Sequence, residues 1–195
     1  MIYVLNKFQA NPYPHAIEID TTSHGKFKHD LSPFYLGPVE WTDPIRGPMT
    51  CRLFENFWQY TKVYPEHTDE HQNPTELFYQ WQSVGFHSNW ANRHPMGKDK
   101  RPLYSLLNSD RYDYLNARKA IYVPTYASLV VRTPTYAELC KLVRLGTDIV
   151  LRDFDGYDYV AMGRTLVEVV NDPLKRMGHA FVLAMLLSNV LKENT

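Results

Sequence analysis

Glu55-Asn56-Phe57-Trp58-Gln59-Tyr60-Thr61-Lys62 sets an acid, an amide and an amine inside an aromatic, apolar run. At 3.6 residues per turn, positions i, i+4 and i+7 share one face of a helix, so Glu55, Gln59 and Lys62 line up. Phe57, Trp58 and Tyr60 fall on other faces and can anchor the helix in a core, which would hold the polar row in a fixed place. The same spacing also describes an ordinary amphipathic helix with a solvated Glu/Gln/Lys face. The two readings differ in one observable, the burial of that row.

Working outward, the helix around this stretch is expected over residues 52–63, with Pro65 ending it. Just upstream, residues 31–41 carry Phe34, Tyr35 and Trp41 among prolines and a glycine, which keep the segment out of a helix. Aromatic rings on such a restricted loop serve either to stack on a planar ligand or to plug the core. Downstream, His67 and His71 are four apart, but their order is not His-Glu-x-x-His and no third ligand stands nearby, so a surface helix start is expected there. A short helix follows over 76–81. Residues 85–102 then lack periodicity and hold Arg93, His94, Lys98, Lys100 and Arg101 around Gly97, a loop suited to phosphates or to simple solvation.

The ends of the chain read as strand and helix in alternation. Residues 2–5 and 17–20 have strand patterns, and the polar stretch 21–30 between them and the aromatic loop reads as a loop with solvated His24 and His29. Residues 112–122 read as a helix stopped by Pro124, and 135–145 as an amphipathic helix between Pro134 and Gly146. An apolar strand from 148 then opens into Asp153, Asp155 and Asp158 around Gly156, a cluster able to hold a cation, ribose hydroxyls or a water. Too little chain follows for a haloacid-dehalogenase domain, and Arg164 stands where an EF-hand loop needs its closing glutamate. Asp172 and Pro173 are expected to cap a long apolar helix reaching 191, with Arg176, Gly178 and His179 in its first two turns and a start suited to phosphate.

Composition bounds the rest. In 195 residues with 44% hydrophobic and 14% aromatic content, one compact domain with a full core is expected. Lys plus Arg equals Asp plus Glu at 21 each, so no global field draws the chain to nucleic acid or an anionic membrane, and any basic patch must be local. Cys51 and Cys140 lack a metal or disulfide spacing and read as small buried hydrophobes of a reduced compartment. The first residues turn polar too soon for a signal peptide, and no run reaches transmembrane length, so a cytoplasmic protein without a membrane partner is expected. Alternating strand and helix signals favour an α+β arrangement, mostly helical with a small mixed sheet.

Taken in order, these pieces resemble a divergent member of the NADAR (YbiA-like) N-glycosidase family. The match runs from Ser32, Phe34 and Tyr35 through Glu55, Gln59 and Lys62 to Gly146, Asp153 to Asp158, and a C-terminal helix with Gly178 near its start. In the family a tryptophan precedes an arginine by four residues; here Tyr114 precedes Arg118, and no role is carried to Tyr114. Asp158-Tyr159 departs from the family's ending of the acidic motif, which leaves open which aspartate corresponds. The resemblance implies a single NADAR-like domain that hydrolyses an N-glycosidic bond, with no metal and no cofactor. Its implied substrates are ADP-ribose on guanine in DNA, a modification left by a toxin or a defence system, or ribosylated intermediates of riboflavin synthesis; a non-catalytic nucleotide-binding or inhibitor protein is the remaining possibility.

That chemistry needs a carboxylate, a proton donor and a positioned nucleophile, because positive charge builds on the sugar and negative charge on the departing base. Glu55 would act as general acid/base or stabilise the cation. Lys62, if its amine is neutral, would attack the sugar C1; otherwise it is a donor to phosphate or hydroxyl. Asp155 or Asp158 would hold ribose hydroxyls or orient water. Phe34, Tyr35 and Trp58 would stack on a base, Gln59 would support its neighbours, and Arg93, Lys98 and Arg101 would face the pyrophosphate or the strand, with Arg176 and His179 as further phosphate contacts.

Overall fold

The computed structural model describes residues 1–191. In chain order the elements are β1 (Ile2–Asn6), β2 (Ile17–Asp20), α1 (Lys28–Leu31), β3 (Val39–Asp43), β4 (Gly47–Cys51), α2 (Phe54–Tyr60), β5 (Lys62–Val63), α3 (Glu76–His87), β6 (Tyr104–Leu107), β7 (Asp110–Tyr112), α4 (Tyr114–Ala117), α5 (Val123–Val130), α6 (Pro134–Arg144), β8 (Ile149–Asp153), α7 (Leu166–Asn171) and α8 (His179–Leu187). A 3-10 turn covers Pro65–His67 and a π-helical turn Arg118–Tyr122. The fold is α+β. Among the described residues the strands form three small sheets instead of one mixed sheet: parallel β1-β8-β2, antiparallel β3-β4 and antiparallel β5-β6-β7. By their internal contacts the described residues divide into two compact units, 1–33 with 126–191, and 34–125.

The first unit is built on β8. Its five residues are all buried, and both neighbours run parallel to it, with Ile2 and Ile17 each opposite Ile149. A strand flanked on both sides and covered on its faces reads as a continuous apolar run, as Ile149-Val150-Leu151 does. The apolar α8 packs on β1 and β8 and is itself almost wholly buried. It begins at His179, seven residues later than Asp172, because Asp172 serves a turn: it accepts from the Leu174 amide at 2.9 Å and pairs with Arg164. Upstream of that turn lies α7, a helix the residue pattern did not announce, closed by a reciprocal Thr165/Glu168 capping box. His29 lies in α1 rather than in a loop.

In the second unit α2 runs from Phe54 to Tyr60, shorter at both ends than 52–63, and every one of its residues is buried. Trp41 of β3 meets Phe57 and Phe86 edge-on at 5.0 and 5.4 Å between ring centres. The helix after Pro74 continues to His87, beyond 81, because Gly85 lets Tyr60 lie against it: a Cβ there would sit 2.2 Å from the Tyr60 ring. His67 is buried against Trp81 at 4.6 Å, and His71 is exposed, so neither starts a surface helix. The 112–122 segment opens as strand, passes through α4 and the π-helical turn, and does not stop at Pro124, which stands in the first turn of α5. Cys51 is fully buried and Cys140 half-buried.

Candidate active site

The polar row of α2 is not a solvated face. Glu55 is 6% and Gln59 7% exposed, and Lys62, the first residue of β5, is partly buried. Gln59 joins the two charges: its Nε2 donates to Glu55 Oε1 at 2.9 Å, and its Oε1 accepts from Lys62 Nζ at 2.7 Å. These two bonds also fix the orientation of the amide, since only its nitrogen donates and only its oxygen accepts. Lys62 Nζ lies 4.7 Å from the centre of the Trp58 ring, so an indole forms one wall around the amine.

Burial pulls the Lys62 amine down from its ordinary 10.5 to about 8. The Glu55 carboxylate opposes this and the Arg93 guanidinium adds to it, because a second positive charge disfavours protonation. Arg93 is therefore within electrostatic reach of Lys62, brought there by a clamp: Asn56, fully buried on α2, donates to the Trp90 carbonyl at 2.9 Å and accepts from the Asn92 amide at 2.8 Å. A neutral amine beside a buried carboxylate can act as a nucleophile or as a hydrogen-bond donor.

The same unit holds the other aromatic and basic candidates. Trp58 packs edge-on against Tyr122 at 5.1 Å, and Phe54 meets the same ring at 5.1 Å. One turn earlier, Arg118 is 2% exposed and lies 4.8 Å from the Tyr114 ring centre, a buried cation to which the sequence reading gave no role. Its signal was present in the Tyr114/Arg118 spacing of four. Phe34 is half-buried and Tyr35 is 39% exposed. Lys98 and Arg101 are exposed, while Lys100 is paired with Glu66. No family model, curated protein or solved structure matches this chain. The chemistry is therefore read from these residues.

Asp155, Asp158, Arg176 and His179 all belong to the first unit. Asp158 accepts the Tyr13 hydroxyl at 2.9 and 3.0 Å and the Ala161 amide at 2.9 Å, and Asp155 is half-buried on the turn after β8. His179 is buried with both ring nitrogens engaged, Nδ1 at 3.1 Å from Asp153 Oδ2 and Nε2 at 2.9 Å from the Thr21 carbonyl. The start of α8, which the sequence offered to a phosphate, is occupied by Asp153, whose carboxylate accepts the Ala180 amide at 3.1 Å. Gly178 makes room for it, since a Cβ would lie 2.0 Å from Oδ2. Arg176 is exposed and precedes the helix. Among the described residues no helix is long and apolar enough to cross a membrane.

Proposed function

We propose that this chain is a NADAR-type N-glycosidase that removes ADP-ribose from guanine bases in DNA. The observation that carries the reading is the buried Glu55–Gln59–Lys62 chain, with an amine held near 8. An interior row of acid, amide and amine is costly to bury even when hydrogen-bonded, and perturbed groups of this kind cluster where chemistry is done.

In this reading Lys62 Nζ forms a bond to ribose C1 as the bond from C1 to the base nitrogen breaks. The electron pair leaves with the base, which takes up a proton. Loss of the ring oxygen from C1 gives an imine, and water then releases ADP-ribose and restores the amine. Glu55 supplies the negative charge that favours the cationic sugar and exchanges protons with the reacting groups. Trp58 offers an apolar wall, and Arg93 meets the pyrophosphate or the strand.

The test is incubation with an ADP-ribosylated oligonucleotide and chromatography of free ADP-ribose. Wild type is expected to release it, and Glu55→Ala to lose at least about 100-fold in rate. Borohydride added during turnover should leave a mass adduct on the peptide carrying Lys62. No release by folded wild type rejects the reading; release without an adduct reduces Lys62 to a hydrogen-bond donor.

A further inference from the structure

Trp90 is 83% exposed, although its backbone is held by three hydrogen bonds to side chains. Its carbonyl accepts from Asn56 Nδ2 at 2.9 Å and from Ser88 Oγ at 3.0 Å, and its amide donates to Ser88 Oγ at 3.1 Å. On either side, Asn89 is held by Arg52 and Asn92 by Asn56. Tryptophan buries readily, so an indole left in water on a pinned backbone is a rigid apolar platform with nothing on it.

Its surroundings say what would lie there. Between residues 88 and 102 the chain carries Arg93, Lys98, Lys100 and Arg101 against a single acid, Asp99, on a chain that is otherwise balanced at zero net charge. Lys98 and Arg101 are exposed and make no ion pair among the described residues. An exposed planar ring on the same loop segment as the exposed cations Lys98 and Arg101 fits a strand of phosphates with bases to stack, and does not fit an apolar protein partner. The clamp ties this platform to Asn56, the residue next to Glu55. From Trp90 the main chain reaches Arg93, beside Lys62, within three residues, at most about 11 Å of extended backbone.

We infer that Trp90 stacks on a base of single-stranded DNA next to the nucleotide presented to Lys62, making the protein a reader of the strand and not only of the ADP-ribose. This deepens the proposed function and rests on it for the position of the modified base, but the stacking is tested without turnover. Binding of an unmodified fluorescein-labelled oligonucleotide is measured for wild type, Trp90→Ala and Trp90→Phe. Trp90→Ala is expected to weaken binding about 5- to 150-fold, the range of one base stacked on an aromatic ring. Trp90→Phe should keep most of the affinity, and the slope of log affinity against log salt should not change, because no phosphate contact is removed. Circular dichroism checks that the variants are folded. Equal affinity of Trp90→Ala and wild type overturns the inference, as does wild type that binds no oligonucleotide. If wild type binds in this Trp90-dependent way and yet releases no ADP-ribose, the glycosidase reading fails and the stacking stands.

Discussion

The Lys62 amine should titrate near pH 8 in the folded protein, and two charges should move it in opposite directions. With its midpoint at about 8, roughly one amine in eleven is neutral at pH 7; at the ordinary 10.5 it would be about one in three thousand. The neutral fraction at pH 7 is thus about 300-fold that of an unperturbed lysine, and reactivity toward small acylating or carbonyl reagents at equal accessibility should rise by less than that factor, because an amine of lower basicity is a weaker nucleophile. The assay is brief labelling with acetic anhydride over pH 6–11, with the modified Lys62 peptide quantified by mass spectrometry. The same chain in denaturant corrects for access. Arg93→Ala removes a like charge and should move the midpoint up, while Glu55→Gln removes the opposing carboxylate and should move it down. A wild-type midpoint at 10 or above would refute the reasoning, because Lys62 would then be an ordinary ammonium and the nucleophile in the proposed reaction would be missing. Shifts of the same sign in both variants would refute the electrostatic account while leaving burial in place.

Stability should carry the same signature. Since the folded Lys62 lies at about 8 and the unfolded one at 10.5, the unfolded chain binds more protons between those values, and wild-type stability should rise with pH across that window. Lys62→Met should be more stable than wild type at pH 7, by up to about 3 kcal/mol less the lost Gln59 bond, with the difference closing toward pH 10.5 in urea midpoints. Gly85→Ala drives a Cβ to 2.2 Å from Tyr60, whose ring is also packed by Trp81 at 4.4 Å. Overpacking costs about 1–3 kcal/mol against about 1 kcal/mol gained by replacing a helical glycine, so a net loss of up to about 2 kcal/mol is expected in the same measurement.

Local patterns carried much of this architecture. The strands at 2–5 and 17–20, the helix at 135–145 and the α2 row are each written in a period that nothing elsewhere overrides. The misreadings share a cause, a partner distant in sequence or a turn that alters the rules. Pro124 does not end its helix because it follows a π-helical turn and sits in the first turn of the next segment, where a missing N–H opens no ladder bond. The late start of α8 depends on Asp153, 27 residues before Ala180, filling the place a capping residue would take. Asn56 looks like one more polar residue in a helix, and only its bonds to residues 90 and 92 reveal that it places the basic loop. The burial of Glu55 and Gln59 was likewise undecidable from spacing, since solvated and interior rows share the same period.

The identity of the residue between the two charges is what makes a neutral lysine possible here. Had the glutamate met Lys62 directly, the carboxylate would hold the ammonium charged, as an opposite charge in contact does. Gln59 instead donates one bond to Glu55 and accepts one from Lys62, so Glu55 acts on Lys62 through space, and burial outweighs it. The amide also commits one amine hydrogen to its own oxygen, which leaves the lone pair of the neutral amine to point elsewhere. Trp58 covers one side, and the nearby Arg93 charge adds to the effect of burial in favouring the neutral amine. An amide spacer at i+4 and an amine at i+7 is thus a way to keep acid and amine in one row without direct contact between them.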